Sequence, residues 1–148
     1  MATLGEVRAA LKTLIDAQQA NGVTVFDHFP GPDYAPTFTG VVWIVPDETE
    51  TVLEPQTLRT PPHTYTETHA LIVVHEVDSP GDADRTADDA CHLLYRASLL
   101  AVRTTPGLGL SAQVECRART VRVQSYLGDG GRGCRIELRV DVTQTLRS

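Results

Sequence analysis

Three histidines recur at intervals of six residues, and imidazole nitrogens are common ligands of zinc. They are His63, His69 and His75, and the last two flank a long apolar stretch. In a strand these two side chains would share a face, but six residues would separate them by about 20 Å, too far for one metal ion. We therefore interpret them as structural histidines and predict no metal site.

Four aspartates lie close together at Asp82, Asp84, Asp88 and Asp89, where carboxylate oxygens could bind calcium. The regular aspartate spacing of a calcium loop and the glutamate at its twelfth position are both missing. Because acidic residues in the first turn complement the dipole of a helix, we interpret these aspartates as helix-capping charge.

The serines and the cysteine that could act as nucleophiles have no recognisable catalytic base or motif in the sequence. Ser98 and Ser111 are not part of the Gly-x-Ser-x-Gly elbow that exposes a catalytic serine. Cys91 and His92 are neighbours, and adjacent residues of a helix point about 100° apart, so they cannot act as a dyad. No nucleophile, base and orienting group can be assembled, and the sequence predicts neither an enzyme nor a bound cofactor.

A glycine-rich stretch, GDGGRG at residues 128–133, could hold a phosphate if a helix followed it. Residues 135–143 instead alternate charged and apolar side chains with a strict period of two, which predicts a strand. The stretch also contains no lysine to neutralise a phosphate. We therefore predict a wide hairpin turn in which glycine supplies positive φ.

Five arginines stand out in the two segments that flank this turn. The apolar positions change parity at Thr120, and a β-bulge there would explain the change. With the bulge, all five arginines would lie on one sheet face, among Glu137 and Asp141. This face is either a solvated surface with cross-strand ion pairs, or an assembly surface or passage for nucleic acid. The five are Arg117, Arg119, Arg122, Arg135 and Arg139.

The elements that must position these residues are two helices and several strands. Thr3 and Glu6 form a capping box before an amphipathic helix, which Asn21 and Gly22 are expected to end. Strands are predicted at VTVF, at GVVWIV and at ETHALIVVHEVD, then a second helix, then the two strands joined by the glycines. The buried stripe predicted for the second helix comprises Ala87, Ala90, Cys91, Leu94, Ala97, Leu100 and Ala101.

This order predicts an α+β domain with two helices packed on one face of a mainly antiparallel sheet of about five strands. The other sheet face must be polar or covered by something else. Between the second and third strands, residues 46–66 carry four prolines and no sustained periodicity, which predicts a long Pro-rich loop. A loop of this length in a compact domain is usually functional or disordered.

Composition limits the classes of protein. The 148 residues, 41% of them hydrophobic, suit a single domain at 1–148. The net charge of −6 argues against nonspecific binding of nucleic acid or membranes by the whole surface. No signal peptide or apolar membrane span is recognisable, so we expect a soluble chain made in the cytoplasm. Cys91, Cys116 and Cys134 are odd in number and far apart, which indicates buried free thiols.

The chain resembles the tail-terminator (tail-completion) proteins of long-tailed bacteriophages in element order and length. The resemblance covers LGEVRAALKTLI, GVTVFDHFPGPDYAPTF, the Pro-rich segment, HALIVVHEV, DDACHLLYRASLLAVRTTPGLG and the pair VECRARTVRVQSY and CRIELRVDVTQT. It implies a virion protein at the tail–neck junction, assembled as a homo-oligomer, a hexameric ring. Its partners would be the tail tube protein and the head–tail connector (stopper) protein, with DNA passing through the ring and no membrane involved.

The resemblance also implies that the Pro-rich segment is an arm that reaches a neighbouring subunit or the tube. With the five arginines, the candidate interface residues are then Asp47, Glu48, Glu50, Leu53, Leu58 and Arg59. Two alternatives stay open. One is a related head-completion (neck) protein, and the other is a small ligand-binding or enzymatic α+β domain with a pocket beneath the Pro-rich loops.

Overall fold

A computed structural model describes residues 2–20, 22–31, 40–53, 64–80, 86–110, 113–128 and 131–147. In chain order the elements are α1 (Leu4–Gln18), β1 (Thr24–Phe26), β2 (Val41–Leu53), β3 (Thr64–Pro80), α2 (Thr86–Thr104), β4 (Val114–Gly128) and β5 (Gly131–Arg147). The predicted α+β class, with two helices and a five-stranded sheet, is confirmed.

The sheet has the strand order β1-β2-β3-β5-β4. β1 runs parallel to β2, and all other neighbouring strands are antiparallel. β4 forms one edge of the sheet. At the opposite edge, the three residues of β1 pair only with Val41–Trp43, so the rest of β2 forms the edge there.

Both helices pack on one face of the sheet, and alternation along the strands decides which side chains they cover. On β5 the even positions Ile136, Leu138, Val140 and Val142 are buried in the core. The odd positions of the same strand carry the charged residues, as predicted. We call the sheet face that points away from the helices the open face.

Helix α1 begins as predicted and ends early. The Thr3 hydroxyl accepts from the Glu6 amide at 3.2 Å, and the Glu6 carboxylate accepts from the Thr3 amide at 2.9 Å. The helix ends at Gln18, and Gln19 caps it in an extended conformation, so the expected Asn21–Gly22 cap is wrong. The side-chain amide of Gln19 also donates to the Leu94 carbonyl oxygen of α2, so the residue that ends α1 connects the two helices. Asn21 lies outside the described residues.

Helix α2 buries Ala87, Cys91, Leu94, Ser98, Ala101 and Val102. The predicted stripe is therefore wrong at Leu100, which is 48% exposed, and only half-buried at Ala90 and Ala97, while the polar residue Ser98 is fully buried. Its hydroxyl has a partner inside the core, described below, and a hydrogen-bonded polar group can replace an apolar one there.

The predicted Pro-rich loop is mostly strand where the structure describes it. Residues 46–53 continue β2, and 64–66 begin β3, with pairing through Leu53 and Tyr65. A register shift falls between Pro46 and Glu48, at the sheet edge, where proline is tolerated because its missing N–H faces no partner strand. Residues 54–63 lie outside the described chain.

The glycine-rich stretch is partly strand. Gly128 pairs with Gly131, so the strand pairing extends into the glycine-rich stretch that was predicted as turn, and residues 129 and 130 lie outside the described residues. The element after the glycines is a strand, as expected. The predicted bulge in β4 is confirmed, since the register with β5 shifts between Thr120 and Arg122.

Gly40 lies just before β2, where Leu94 of α2 packs against Val77 of β3. A substitution there tests the packing of α2 on the sheet. Its φ is +84°, and a Cβ atom there would lie 2.6 Å from Leu94 Cδ1 and 2.8 Å from Val77 Cγ2. Gly109, with φ of +70°, has no atom within 4 Å of such a Cβ.

We expect Gly109→Ala to lower the free energy of unfolding by about 1 kcal/mol through backbone strain alone. Gly40→Ala should cost about 1–3 kcal/mol more, because the methyl group overpacks the interface between α2 and the sheet. Urea denaturation of the two variants measures the difference. Equal losses would show that α2 does not press on Gly40.

Candidate assembly surface

The register of β4 and β5 brings the five arginines to the open face. Arg117 lies opposite Asp141, Arg119 opposite Arg139, and Arg122 opposite Glu137. The predicted bulge is what restores this alignment after Thr120. The shared face is thus confirmed, and the interface role of these residues stays a prediction.

Arg139 is held in an ion-pair network within the chain. Its Nε lies 2.9 Å from Asp141 Oδ1, Nη1 lies 3.1 Å from Asp47 Oδ2, and Nη2 lies 2.8 Å from Glu48 Oε1. The hydrogen bonds that the guanidinium donates, first to Glu48 and then to Asp141, raise its pKa above its usual range. The register shift beside Pro46 allows both Asp47 and Glu48 to reach one arginine. Arg139 therefore ties β2 to β5 across β3.

Arg135 also has its contacts within the chain. Its guanidinium carbon lies 5.5 Å from the centre of the Trp43 ring, within cation–π range, and Nη2 lies 3.4 Å from Glu137 Oε1. Trp43 is only 4% exposed and forms a small apolar cluster on the open face with Val41 and Val74. This half of the open face is therefore not purely polar, and Arg135 packs over the ring of Trp43 in its apolar cluster.

The three arginines of β4 differ from those of β5. Arg117 is 3.6 Å from Glu115, but the two side chains are 82% and 67% exposed, and such pairs contribute little to stability. Arg119 and Arg122 are exposed and form no ion pair with any other residue that the structure describes. Among the described residues, β4 thus offers two cations, Arg119 and Arg122, that no carboxylate pairs.

The acidic candidates gather at the opposite edge. Asp47, Glu48 and Glu50 are exposed on the part of β2 that β1 leaves unpaired. The first two are partly engaged by Arg139, and Glu50 is not. The backbone of Leu53 lies in the same strand, and Leu58 and Arg59 fall outside the described residues.

His75 forms a buried polar network that links both helices to the sheet. Its Nδ1 donates to the Ile136 carbonyl oxygen at 2.9 Å, so Nε2 accepts from the Ser98 hydroxyl at 2.7 Å. The Gln19 amide reaches the same hydroxyl at 3.4 Å. His75 and Ser98 have no exposed surface, so this serine–histidine pair joins layers of the fold and cannot touch a substrate from solvent.

His69 and His63 are the other two histidines of the series spaced by six residues. His69 is buried, with Nδ1 2.9 Å from Thr49 Oγ1 and Nε2 2.8 Å from Glu67 Oε1, which fits a structural role. His63 lies outside the described residues. Within the described ranges, no three histidine, cysteine or acidic side chains are grouped so as to hold a metal ion.

The cysteines are buried and free, as predicted. The Cys91 thiol donates to the His75 carbonyl oxygen at 3.3 Å, and burial raises the pKa of Cys91 above its usual range. Burial likewise raises the pKa of Cys116 to about 12. Neither thiol is therefore ionised near neutral pH, and neither is poised as a nucleophile.

Tyr126 is a contact that the sequence did not indicate. Its hydroxyl donates to Glu76 Oε1 at 2.6 Å, which spans from β4 over β5 to β3. Burial and then the bond to Glu76 raise the pKa of the phenol above its usual range. The ring crosses Gly133, where any Cβ would lie 2.4 Å from it. Only the register of three strands reveals this arrangement.

Comparison with known proteins gives little. No family model and no curated protein sequence matches the chain. One solved structure with a similar arrangement is a chain of "Virion of native gene transfer agent (GTA) particle", with a TM-score of 0.49 and 13% identity over 96% of this chain and 98% of that chain. No helix among the described residues is long and apolar enough to cross a membrane.

The buried network predicts a pH dependence of stability. Burial lowers the pKa of His75 from 6.5 to about 4. Between these values the unfolded chain binds a proton at His75 and the folded chain does not, so the free energy of unfolding falls as the pH falls. The full loss from this group is about 3 kcal/mol by pH 4.

Urea denaturation between pH 7 and pH 4 measures the effect. His75→Gln removes the titrating group and should flatten the pH dependence, whatever its effect at pH 7. His92→Gln, at an exposed position of α2, is the control and should keep the wild-type slope. Identical slopes for all three proteins would contradict the assignment.

Proposed function

We propose that this chain is a virion structural protein, a ring-forming tail terminator that caps the tail tube and joins it to the head–tail connector. The proposal starts from the resemblance in element order to tail-terminator proteins, an order that the fold has from α1 to β5. It would act as a homo-hexamer at the tail–neck junction, with DNA passing through the ring.

The observation that carries the proposal is the uneven use of charge on the open face. Arg135 and Arg139 are engaged by groups of the same chain, whereas Arg119 and Arg122 are exposed without an ion pair among the described residues. Exposed arginines grouped on one strand attract an acidic surface over a distance that ionic strength limits. An acidic neighbouring protein or the DNA phosphates would supply that surface.

Exposed apolar residues support assembly with more than one partner. On α2, Leu93 is 63% exposed and shares the outer surface of the helix with Leu100. On β4, Val121 is exposed in the bulge next to Arg122, and Val123 is exposed on the sheet face that bears the helices. A protein that contacts its own copies, a tube and a connector needs several such surfaces.

The alternative of a small enzyme finds less support in the site geometry. The serine–histidine pair, which most resembles catalytic machinery, is sealed inside the core. The groove lined by Asp89, His92, Leu93 and Arg96 lies on the outer surface of α2 and is shallow and open to solvent. Its residues belong to the surface that the proposal assigns to assembly.

Complementation tests the function. A phage that lacks this chain should make heads and tails that do not join, and the wild-type chain supplied in trans should restore joined particles, counted by electron microscopy. Arg119→Gln with Arg122→Gln should fold normally and restore fewer joined particles. The control Lys12→Gln removes a positive charge from α1, a helix that the proposal does not assign to a partner, and should restore the wild-type number.

Ionic strength separates the charge effect from a loss of shape. The deficit of the β4 double variant should shrink as salt rises, because screening weakens the wild-type attraction as well. If the β4 variant joins particles as well as the wild type at low salt, the arginines are only solvated surface. If particles join without the chain, it is not a terminator.

A further inference from the structure

The sheet has two edge strands, β4 on one side and most of β2 on the other, and each lacks a partner strand on its outer side among the described residues. β4 pairs on one side only, with β5, and β2 from Val45 onward pairs only with β3, among the residues that the structure describes. An unpaired edge strand presents backbone N–H and C=O groups to any strand that fits beside it. Each of these edges must therefore be protected or used.

Charge of opposite sign lines the two edges. β4 carries Arg117, Arg119 and Arg122 with a single carboxylate, Glu115, whereas residues 45–53 of β2 carry three carboxylates and no basic residue. Two β4 edges brought together would place arginine against arginine, and two β2 edges would place carboxylate against carboxylate. Pairing of like edges is thus opposed, and pairing of unlike edges is favoured.

Strand direction fits the same pairing. β2, β3, β5 and β4 are each antiparallel to the next, so β2 and β4 run in opposite directions. If a second copy is placed alongside without being turned over, its β2 lies antiparallel to β4 of the first. The alternation of the sheet then continues from one copy into the next.

Apolar contact is available at both edges. Val121 on β4 is more than half exposed, and so is Val52 on β2. Val121 lies within the register shift, where a bulge turns a side chain away from the regular ladder. Burial of these side chains would add to the attraction between the charges.

We infer that the β4 edge of one copy docks against the β2 edge, residues 45–53, of a second copy. Each copy in such a contact keeps one free edge of each kind, so the contact is heterologous and propagates until it closes into a ring. The inference rests on the ring of the proposed function and names the surfaces that form it. Its test uses the purified chain without any phage component, so the two proposals can fail separately.

Charge reversal on each edge tests the pairing. Arg119→Glu with Arg122→Glu makes β4 acidic, and Glu50→Arg with Thr51→Arg adds two cations to the β2 edge and cancels its net negative charge, all at exposed positions. Each variant alone then lacks the net charge attraction at its β4–β2 contact, and its self-association should be about tenfold weaker than that of the wild type at low ionic strength. Sedimentation velocity over a range of concentrations measures the association.

Mixing supplies the decisive step. In an equimolar mixture, the acidic β4 of one variant meets the two added arginines on the β2 edge of the other, and the remaining wild-type edges also match. Association should therefore return, with equal amounts of both chains in the assembly. The control Lys12→Glu on α1, outside both edges and outside the outer surface of α2, should associate as the wild type does.

Three outcomes would overturn the inference. They are a wild-type chain that stays monomeric at every concentration and ionic strength, variants that associate normally alone, and variants that stay apart when mixed. Circular dichroism of each variant shows whether it is folded, and if one does not fold, Arg122→Glu or Glu50→Arg replaces the corresponding pair. Recovery on mixing, by contrast, would support the pairing even if the chain failed to complement the phage.

Discussion

The ladder between β3 and β5 is the constraint on which the other parts of the structure depend. It pairs all 17 residues of each strand, from Thr64 with Arg147 to Pro80 with Gly131, without a register shift. With the central register fixed, alternate side chains must enter the core or face outward. The buried imidazole of His75 and the outward guanidinium of Arg139 are both consequences of that single register.

Irregularity is confined to the outer strands. The register shifts beside Pro46 in β2 and after Thr120 in β4, and each strand borders the regular pair on one side. A bulge in an outer strand changes which side chains reach the open face without disturbing the core. One shift gives Arg139 two carboxylates, and the other keeps Arg122 in line with Arg119.

The sequence predicted structure well where one face of an element is buried, because burial imposes a period. The alternation around Ile136 and the parity change at Thr120 led to the correct strands, bulge and arginine face. Prediction from the sequence failed at residues 46–53, where an exposed edge strand rich in threonine and glutamate has no apolar period to detect. It failed again at Ser98, since its partner His75 lies 23 positions away and no local pattern connects them. The Asp47 and Glu48 partners of Arg139 were hidden for the same reason.

The chain order of the sheet has a consequence for synthesis. β5 lies between β3 and β4 in the sheet but follows every other element in the sequence, so the ribosome makes it after all of them. Until it emerges, β3 lacks one of its two neighbours and β4 lacks its only one. The helices can form early, but most of the sheet must assemble after translation of β5. A nascent chain of this topology therefore exposes unpaired strands for most of its synthesis, the state in which chaperones bind.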